Sequence, residues 1–316
     1  MTKKIGVLMD PIGDITAYKD STLAMLLEVQ RRGWEPVVMT LSDVFVENGV
    51  CQGQYTRVEV RDDPDDWFTL GEPTTAPLHH LDALLMRKDP PFDMEYIYAT
   101  YALELAEGRG LLVVNRPQSL RDFNEKFSTT LFPQCCPETL VTRDPLRLRA
   151  FVGEHEQAVI KPLDEMGGSS VFKTARDDQN LGALVEMMTH HGQRTVMIQR
   201  FIPEITAGDK RILLVNGEVI PYGLARIPAP GEFRGNLAAG ATGRGVELSE
   251  RDLWICQQIG PALAERGLVF VGIDVIGDYL TEINVTSPTG IRELDKLFDL
   301  NTAKTLFDAV ERLLNR

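Results

Sequence analysis

The last quarter of the chain carries two acidic residues inside otherwise apolar runs. Asp274 lies within residues 271–276, and Glu282 and Asn284 lie within residues 279–285. Buried carboxylates are costly unless they are paired or bind a cation, and oxygen ligands suit Mg²⁺. Glu282 and Asn284 are two residues apart and point to one face of a strand. Asp274 can lie opposite Glu282 on that face only if the turn has an odd number of residues or a bulge intervenes. The pattern favours a magnesium site over a solvated hairpin.

A second segment has the composition of a phosphate-binding loop. Lys161 ends an apolar run, the glycines Gly167 and Gly168 follow within seven residues, and another apolar run begins at Ser170. Glycine lets backbone N–H groups approach an anion closely, and the lysine adds a point charge for phosphate oxygens. The lysine precedes the glycines, so this is not the P-loop pattern. We interpret the segment as a polyphosphate site, with a plain flexible hairpin as the alternative.

Three arginines are candidates for binding anionic groups. Arg226 and Arg234 lie in residues 225–240, a long stretch rich in glycine and proline. Long loops often act as lids, and guanidinium groups clamp phosphate or carboxylate in a bidentate manner. Arg87 follows the apolar run 81–86. Ligands bind at the carboxyl ends of strands in open α/β sheets, so Arg87 is a candidate for a substrate carboxylate, with a solvated turn as the alternative.

Two differently built halves must position these residues. Apolar runs at 4–9, 35–39, 81–86 and 111–114 alternate with helical patterns, which predicts a parallel sheet. Residues 50–80 are predicted to form an antiparallel insertion. A helix over 120–132 follows, and hairpins at Asn216-Gly217 and Gly277-Asp278 indicate antiparallel pairing in the second half. The predicted fold class is α/β, with an α+β second half.

Composition and missing motifs exclude several classes of protein. The 316 residues carry a formal net charge of −13, which argues against nucleic acid or anionic membrane as a partner. No apolar stretch reaches the ~20 residues of a membrane span, and the first apolar run is too short for a signal peptide. The four cysteines form no C-x-x-C pair, so neither a zinc site nor a disulfide framework is indicated. No G-x-G-x-x-G follows the first strand, which disfavours a dinucleotide-dependent oxidoreductase. We expect a cytoplasmic protein.

Taken together, these segments resemble the bacterial glutathione synthetase family of the ATP-grasp superfamily along the whole chain. The matching stretches are residues 6–12, 87–93, 116–122, 161–168, 234–240 and 281–289. The last stretch is long and specific, whereas the lysine and acidic elements alone indicate only an ATP-grasp ligase. Glu165 departs from the family pattern, in which glycine is frequent at that position, and would place a negative charge near the phosphates.

The resemblance implies an N-terminal pre-ATP-grasp α/β domain followed by a two-subdomain ATP-grasp fold. The expected units are a substrate-binding domain over 1–122, a lid subdomain over 123–201 and a catalytic subdomain over 202–316. ATP would lie between the two α+β subdomains, with Lys126 and Lys161 on its phosphates and Asp209 near the ribose. The residues expected to contact the nucleotide are Lys126, Lys161, Gln199, Arg200, Phe201, Ile202, Asp209, Arg211 and Asn236.

The resemblance also implies the metal, catalytic and substrate residues. Mg²⁺, with Mn²⁺ as an alternative, would be held by Asp274, Glu282 and Asn284. Lys161, Arg226 and Arg234 would be catalytic, and Arg226, Arg234 and Asn236 would belong to a mobile lid. The residues expected to contact the peptide substrate are Arg87, Arg226, Arg234, Asn284, Val285, Thr286, Ser287 and Thr289.

The implied reaction joins γ-L-glutamyl-L-cysteine to glycine through an acyl phosphate and gives glutathione, ADP and phosphate. It needs no protein nucleophile, which agrees with the lack of a serine or cysteine nucleophile motif. The family habit implies a homotetramer. Two alternatives stay open: another ATP-grasp carboxylate–amine ligase, and a non-catalytic nucleotide-binding protein of the same fold. The complete set of Lys161, Asp274, Glu282 and Asn284 disfavours the second alternative.

Overall fold

The computed structural model describes residues 2–232, 234–235 and 240–315. Within these ranges the chain forms three β-sheets with helices packed on them. The predicted α/β class with an antiparallel second half is confirmed. None of the described helices is long and apolar enough to cross a membrane.

The first sheet combines a parallel centre with an antiparallel edge. Its strands are β1 (Lys4–Leu8), β2 (Glu35–Met39), β3 (Val44–Glu47), β4 (Val50–Val60), β5 (Phe68–Pro77), β6 (Ala83–Met86) and β7 (Leu112–Val114). Strands β2, β1, β6 and β7 are parallel neighbours in that order. The antiparallel strands β3, β4 and β5 form the predicted insertion. The carboxyl ends of β1, β6 and β7 therefore meet at one edge, where Arg87 directly follows β6.

Helices cover both faces of this sheet, because its central strands are apolar throughout. They are α1 (Ser21–Arg31), α2 (Met94–Glu107) and α3 (Pro117–Asp122). Asp20 caps α1 by accepting from Leu23 N at 2.6 Å, and Asp93 caps α2 by accepting from Tyr96 N at 3.0 Å. These caps satisfy free N–H groups of the first turn and set where each helix begins.

The second sheet is a four-stranded antiparallel layer with a core of its own. Its strands are β8 (Thr139–Thr142), β9 (Gln157–Pro162), β10 (Phe172–Ala175) and β11 (Val196–Arg200), in the order β10-β9-β11-β8. Helices α4 (Pro145–His155) and α5 (Leu181–Met188) pack on one face. Leu148, Val152, Ile160 and Ile198 belong to a hydrophobic cluster formed by residues of this layer.

The third sheet is a five-stranded antiparallel layer. Its strands are β12 (Asp209–Val215), β13 (Glu218–Ile227), β14 (Thr242–Glu247), β15 (Phe270–Ile276) and β16 (Tyr279–Asn284), in the order β14-β13-β12-β15-β16. Its helices are α6 (Glu250–Glu265), α7 (Ile291–Phe298) and α8 (Thr302–Leu314). Two hydrophobic clusters contain residues of both this sheet and the first. The N-terminal and C-terminal parts therefore share their cores.

The helix expected over 120–132 is wrong in its extent. Helix α3 ends at Asp122, and a separate 3₁₀ turn spans Phe127–Leu131. Between them, Asn124 Oδ1 accepts from the backbone N–H groups of Lys126 (3.1 Å) and Phe127 (2.8 Å). Asparagine side chains compete in this way with the helical hydrogen-bond pattern. Further 3₁₀ turns lie at Ile12–Asp14, Leu41–Asp43, Leu78–His80, Pro133–Cys135 and Pro203–Ala207.

Candidate active site

The hairpin of β15 and β16 places its two carboxylates opposite each other by means of a bulge. The turn has two residues, Gly277 and Asp278, because Ile276 pairs with Tyr279 and Val275 with Leu280. Asp274 nevertheless pairs with Glu282, since Thr281 is an extra residue between the two pairs. Asp274 and Glu282 could share a face either through a turn with an odd number of residues or through a bulge, and the structure shows the bulge.

Asp274 lies at the centre of a buried ionic network. Arg211 donates to both of its oxygens, from Nε to Oδ1 at 2.6 Å and from Nη2 to Oδ2 at 3.0 Å. Arg226 Nη2 lies 2.9 Å from Oδ2, and Asn284 Nδ2 donates to the same oxygen at 3.2 Å. Burial alone would raise the pKa of Asp274, but the two guanidinium groups outweigh it and hold the pKa below its usual value.

Two buried lysines lie close to the carboxylate of Glu282. Lys161 Nζ lies 3.9 Å and Lys126 Nζ 3.8 Å from Glu282 Oε1. Lys161 also donates to the carbonyl of Thr281 at 3.1 Å, and Lys126 donates to the carbonyl of Glu165. Burial lowers the pKa of Lys161, and Glu282 opposes that shift. The lysines are therefore close to Glu282 without forming a tight ion pair that would exclude a third anionic group.

One cleft lies between the second and third sheets and has a volume of about 680 Å³. It collects residues from the ends of β9 and β11, from the start of β12 and from the hairpin. Among its walls are Lys161, Gln199, Arg200, Phe201, Ile202, Asp209, Arg234 and Glu282, all of them predicted site residues. A cleft that combines apolar walls with a few convergent polar groups suits a small molecule.

A second cleft, of about 1170 Å³, lies between the first and third sheets. It is lined by the predicted residues Arg211, Arg226, Glu282, Asn284, Thr286, Ser287 and Thr289, together with Asp89, Glu125 and others. Glu282 lines both clefts. A ligand in each cleft would therefore meet its neighbour at this carboxylate. Arg211, predicted to contact the nucleotide, lines the second cleft, and that assignment stays a prediction.

Glu125 organises the turn that follows β16, and the sequence reasoning missed it. Its Oε1 accepts from Val285 N at 2.7 Å, from Thr286 N at 3.0 Å and from Thr286 Oγ1 at 2.9 Å. The carboxyl is buried, and burial raises its pKa against the effect of these donors. Nothing in the spacing around Asn124-Glu125-Lys126 signals a partner 160 residues further along the chain.

The same turn is held from the first sheet. Arg87 is buried, and it donates from Nη2 to the carbonyl of Pro288 at 3.0 Å and from Nε to Thr22 Oγ1 at 3.2 Å. Asn115 donates to the carbonyls of Phe270 (2.8 Å) and Val285 (2.7 Å). Arg87 therefore lies behind the turn, and its contact with a substrate stays a prediction. Asn115 was missed, although its place directly after β7 is where ligand-binding edges of α/β sheets lie.

The predicted lid is described in part, and Arg226, expected to belong to it, instead lies buried in strand β13. Arg234 Nη1 donates to the carbonyl of Gly168 at 3.3 Å, so the lid and the glycine loop touch. A Cβ on Gly235 would lie 2.6 Å from Asp209 Cβ, so only glycine allows this approach. Asn236 lies outside the described residues. Glu165 pairs with Arg194, 3.0 Å away, so a neighbouring cation balances its negative charge.

The donor set fits a hard divalent cation. Asp274, Glu282 and Asn284 offer carboxylate and amide oxygens, the chemistry that Mg²⁺ selects. Among the described residues no group of three or more His, Cys, Asp or Glu side chains could hold a metal alone. A cation here would depend on ligand oxygens, and Mg²⁺ is usually bound by one or two carboxylates plus substrate phosphates. Two buried polar atoms, Asp209 Oδ1 and Arg226 Nε, have no hydrogen-bond partner within the described part of the chain, as expected of groups that meet a ligand.

The fold is similar to that of solved ATP-grasp ligases. The solved structure of D-cycloserine synthetase DcsG has a TM-score of 0.70 to this chain at 13% identity, covering 98% of this chain and 99% of that one. ATP-grasp ligase PsnB with a minimal precursor has a TM-score of 0.66 at 19% identity, with full coverage of both chains. At such identities the likeness concerns the fold alone.

The sequence comparisons narrow this class. Residues 3–121 match the family model "Prokaryotic glutathione synthetase, N-terminal domain", and residues 125–299 match "Prokaryotic glutathione synthetase, ATP-grasp domain". Glutathione synthetase of Coxiella burnetii is 56% identical over 96% of this chain and 94% of its own length. Glutathione synthetase of Pseudomonas aeruginosa is 55% identical over 98% of both. The chain belongs to the prokaryotic glutathione synthetase family.

Proposed function

We propose that this chain joins γ-L-glutamyl-L-cysteine to glycine using ATP, and gives glutathione, ADP and phosphate. Its family makes it an ATP-dependent ligase. The main structural support for this reaction is that the two clefts meet at Glu282. A nucleotide in the first cleft and a peptide in the second would then bring the γ-phosphate and the acceptor carboxylate together.

The chemistry asked of the protein is mostly positioning and charge neutralisation. The cysteinyl carboxylate attacks the γ-phosphate to form an acyl phosphate and ADP, and the glycine amine then displaces phosphate. Lys126 and Lys161 are placed to neutralise phosphate oxygens, and Arg226 and Arg234 to stabilise the charge that develops. The contact of Arg234 with the glycine loop supports a lid that excludes water from the acyl phosphate.

The remaining assignments belong to the same proposal. Gln199, Arg200, Phe201 and Ile202 would contact the adenine, and Asp209 the ribose. Asp274, Glu282 and Asn284 would hold Mg²⁺, or Mn²⁺ in its place, which would supply charge neutralisation at the phosphates. Arg226, Asn284 and the turn 285–289 would contact the peptide, with Arg87 holding that turn from behind. We further propose units at 1–122, 123–201 and 202–316, a cytoplasmic location and a homotetramer.

A coupled assay tests the reaction. Phosphate release and glutathione are measured with ATP and a divalent cation, omitting the peptide or glycine in turn. Phosphate and glutathione should appear together only when both substrates are present. Phosphate with the peptide alone would indicate leakage of an acyl phosphate, and no release at all would overturn the proposal.

Glu282→Gln tests the site in the same assay. The variant removes one charge where the two clefts meet, and we expect turnover to fall by roughly 100-fold or more with an unchanged melting temperature. Glu218→Gln is the matched control, because Glu218 is an exposed residue of the same sheet. Near-wild-type turnover of Glu282→Gln would refute this assignment of the site.

A further inference from the structure

The glycine loop, residues 163–171, joins β9 to β10 and reaches both clefts. Gly168 lines the first cleft, and Met166 and Gly167 line the second. Gly167 and Gly168 have φ angles of 66° and 78°, a conformation that glycine adopts at no steric cost. Because glycine also permits many other conformations, contacts from outside the loop have to fix its position.

The inner side of the loop is held by two residues that precede it in the chain. Asn124 Nδ2 donates to the carbonyl of Leu163 at 2.9 Å, and Lys126 donates to the carbonyl of Glu165. The Lys126 ammonium also lies 3.8 Å from Glu282 Oε1. The position of the Glu165 carbonyl therefore determines where this ammonium lies beside Glu282.

The outer side of the loop is held by Arg194. Its Nη2 donates to Asp164 Oδ1 and, at 3.0 Å, to Glu165 Oε1. The backbone of Arg194 is fixed in turn, because its N–H donates to the carbonyl of Thr189 at 2.7 Å, at the end of α5. Thr189 is fully buried. One guanidinium group therefore connects two adjacent loop residues to the framework of the second sheet.

Both carboxylates are charged when they bind Arg194. Burial opposes ionisation of Asp164, but Arg194 outweighs it and holds the pKa below its usual value. Hydrogen bonds from Ser170 and from Arg194 lower the pKa of Glu165. Without Arg194, the two negative charges would repel each other and a phosphate group in the cleft. Because Asp164 is 63% exposed, water screens the ion pair. Arg194 therefore affects the position of the loop more than the stability of the fold.

We propose that Arg194 is a positioning residue for the nucleotide. It acts through Asp164 and Glu165, fixes the glycine loop, and so fixes the Glu165 carbonyl to which Lys126 donates. In the described part of the chain Arg194 lines neither cleft, so it is not itself a catalytic residue. This role rests on the proposed contact of Lys126 with the phosphates of ATP.

Isothermal titration calorimetry with a non-hydrolysable ATP analogue and Mg²⁺ tests this role. Arg194→Ala should weaken the dissociation constant of the analogue by about 10-fold, with little change in melting temperature. Arg194→Lys should recover part of the loss, because lysine keeps the charge but carries it on a compact group at the end of a flexible stem. Arg149→Ala is the matched control. Arg149 is an exposed arginine of α4 that lies 3.5 Å from Glu186, and its variant should bind the analogue like wild type.

A second set of variants tests whether Arg194 acts through the two carboxylates. Asp164→Ala with Glu165→Ala removes both of its partners, and adding Arg194→Ala to this pair should weaken binding no further. A further loss close to 10-fold would show that Arg194 acts on the nucleotide directly, and would overturn the positioning role. An Arg194→Ala variant that binds the analogue like wild type would do the same. A wild type that binds no nucleotide would overturn the proposed function as well.

Discussion

Glu282 is distinguished from the many other carboxylates of the chain by where it lies in the structure. It lies beside a bulge, faces two buried lysines and borders both clefts. The residue type and the apolar surroundings were visible in the sequence. Its pairing with Asp274 was open, because a two-residue turn alone would have put the two on opposite faces. The extra residue Thr281 resolves that geometry.

Glu125 also lies at the site, but its contacts could not be predicted from the sequence. It is a buried carboxylate whose partners are the N–H groups of a turn far along the chain, and nothing local requires them. A sequence pattern reports periodicity and local turns, whereas this contact depends on how the first and third sheets pack. The same limit explains why Arg87 was recognised as a ligand candidate while its contact with the Pro288 carbonyl was not foreseen.

We expect Glu125→Ala to impair peptide binding more than ATP binding. Loss of the acceptor leaves two buried N–H groups unpaired, at about 1–3 kcal/mol, and lets the 285–286 backbone move. The KM for γ-glutamylcysteine should rise by about 10- to 100-fold, with little change in the KM for ATP. Glu125→Gln keeps a carbonyl acceptor and should restore most of the loss. Equal effects on both KM values, or no difference between the two variants, would contradict this positioning role.

At the scale of elements, the positions of the strands were predictable from the sequence, whereas the extent of one helix was not. Short apolar runs with turn residues predicted β1, β2, β6 and β7, and the Asn-Gly turn predicted the pairing of β12 with β13. The helix predicted over 120–132 was wrong because Asn124 Oδ1 accepts from the backbone N–H groups of Lys126 and Phe127, and the chain bends there. That bend allows Glu125 to reach the turn after β16, so a long-range contact replaces the helical pattern.

The contact between α1 and α8 depends on a buried charge that periodicity does not show. Glu28, with a side chain only 3% exposed, accepts from Arg31 at 2.6 Å and from Arg32 at 2.7 Å. Arg32 also donates hydrogen bonds to Asp308 and to the carbonyl of Lys304, both on α8. Burial opposes ionisation of Glu28, but the two arginines outweigh it and lower the pKa.

Glu28→Gln should therefore lower the free energy of unfolding by about 2 kcal/mol at pH 7, because it leaves Arg32 without its buried partner. A lowered pKa stabilises the fold above the unfolded pKa of about 4.5, and this contribution disappears as pH falls through the folded pKa. The difference between variant and wild type should thus shrink below about pH 4.5. Urea titrations at several pH values measure it. Glu186→Gln, in an exposed pair with Arg149, serves as the control with little change expected.

At the scale of the whole molecule, two kinds of core meet around the first cleft. The first and third sheets share two hydrophobic clusters, whereas the second sheet has a small core of its own. Local regions with fewer buried contacts open at lower free energy than the shared core. We therefore expect the second sheet to open while the rest stays folded. It supplies Lys161, Gln199 and Arg200 to the cleft.

Hydrogen exchange should resolve these two units and show that a nucleotide couples them. Without ligand, amides of β8, β9 and β11 should exchange faster than those of β1, β12 and β15, because the smaller core opens first. A non-hydrolysable ATP analogue with Mg²⁺ at about 100 times its dissociation constant should slow exchange in β9 and β11 by up to roughly 100-fold, since it binds only the closed form. Strand β4, remote from the cleft in the antiparallel insertion, is the internal control and should change little. Equal protection of all three sheets without ligand would show that the chain opens as one unit. A nucleotide effect that is uniform along the chain would show that ATP stabilises the global fold and does not act through the second sheet.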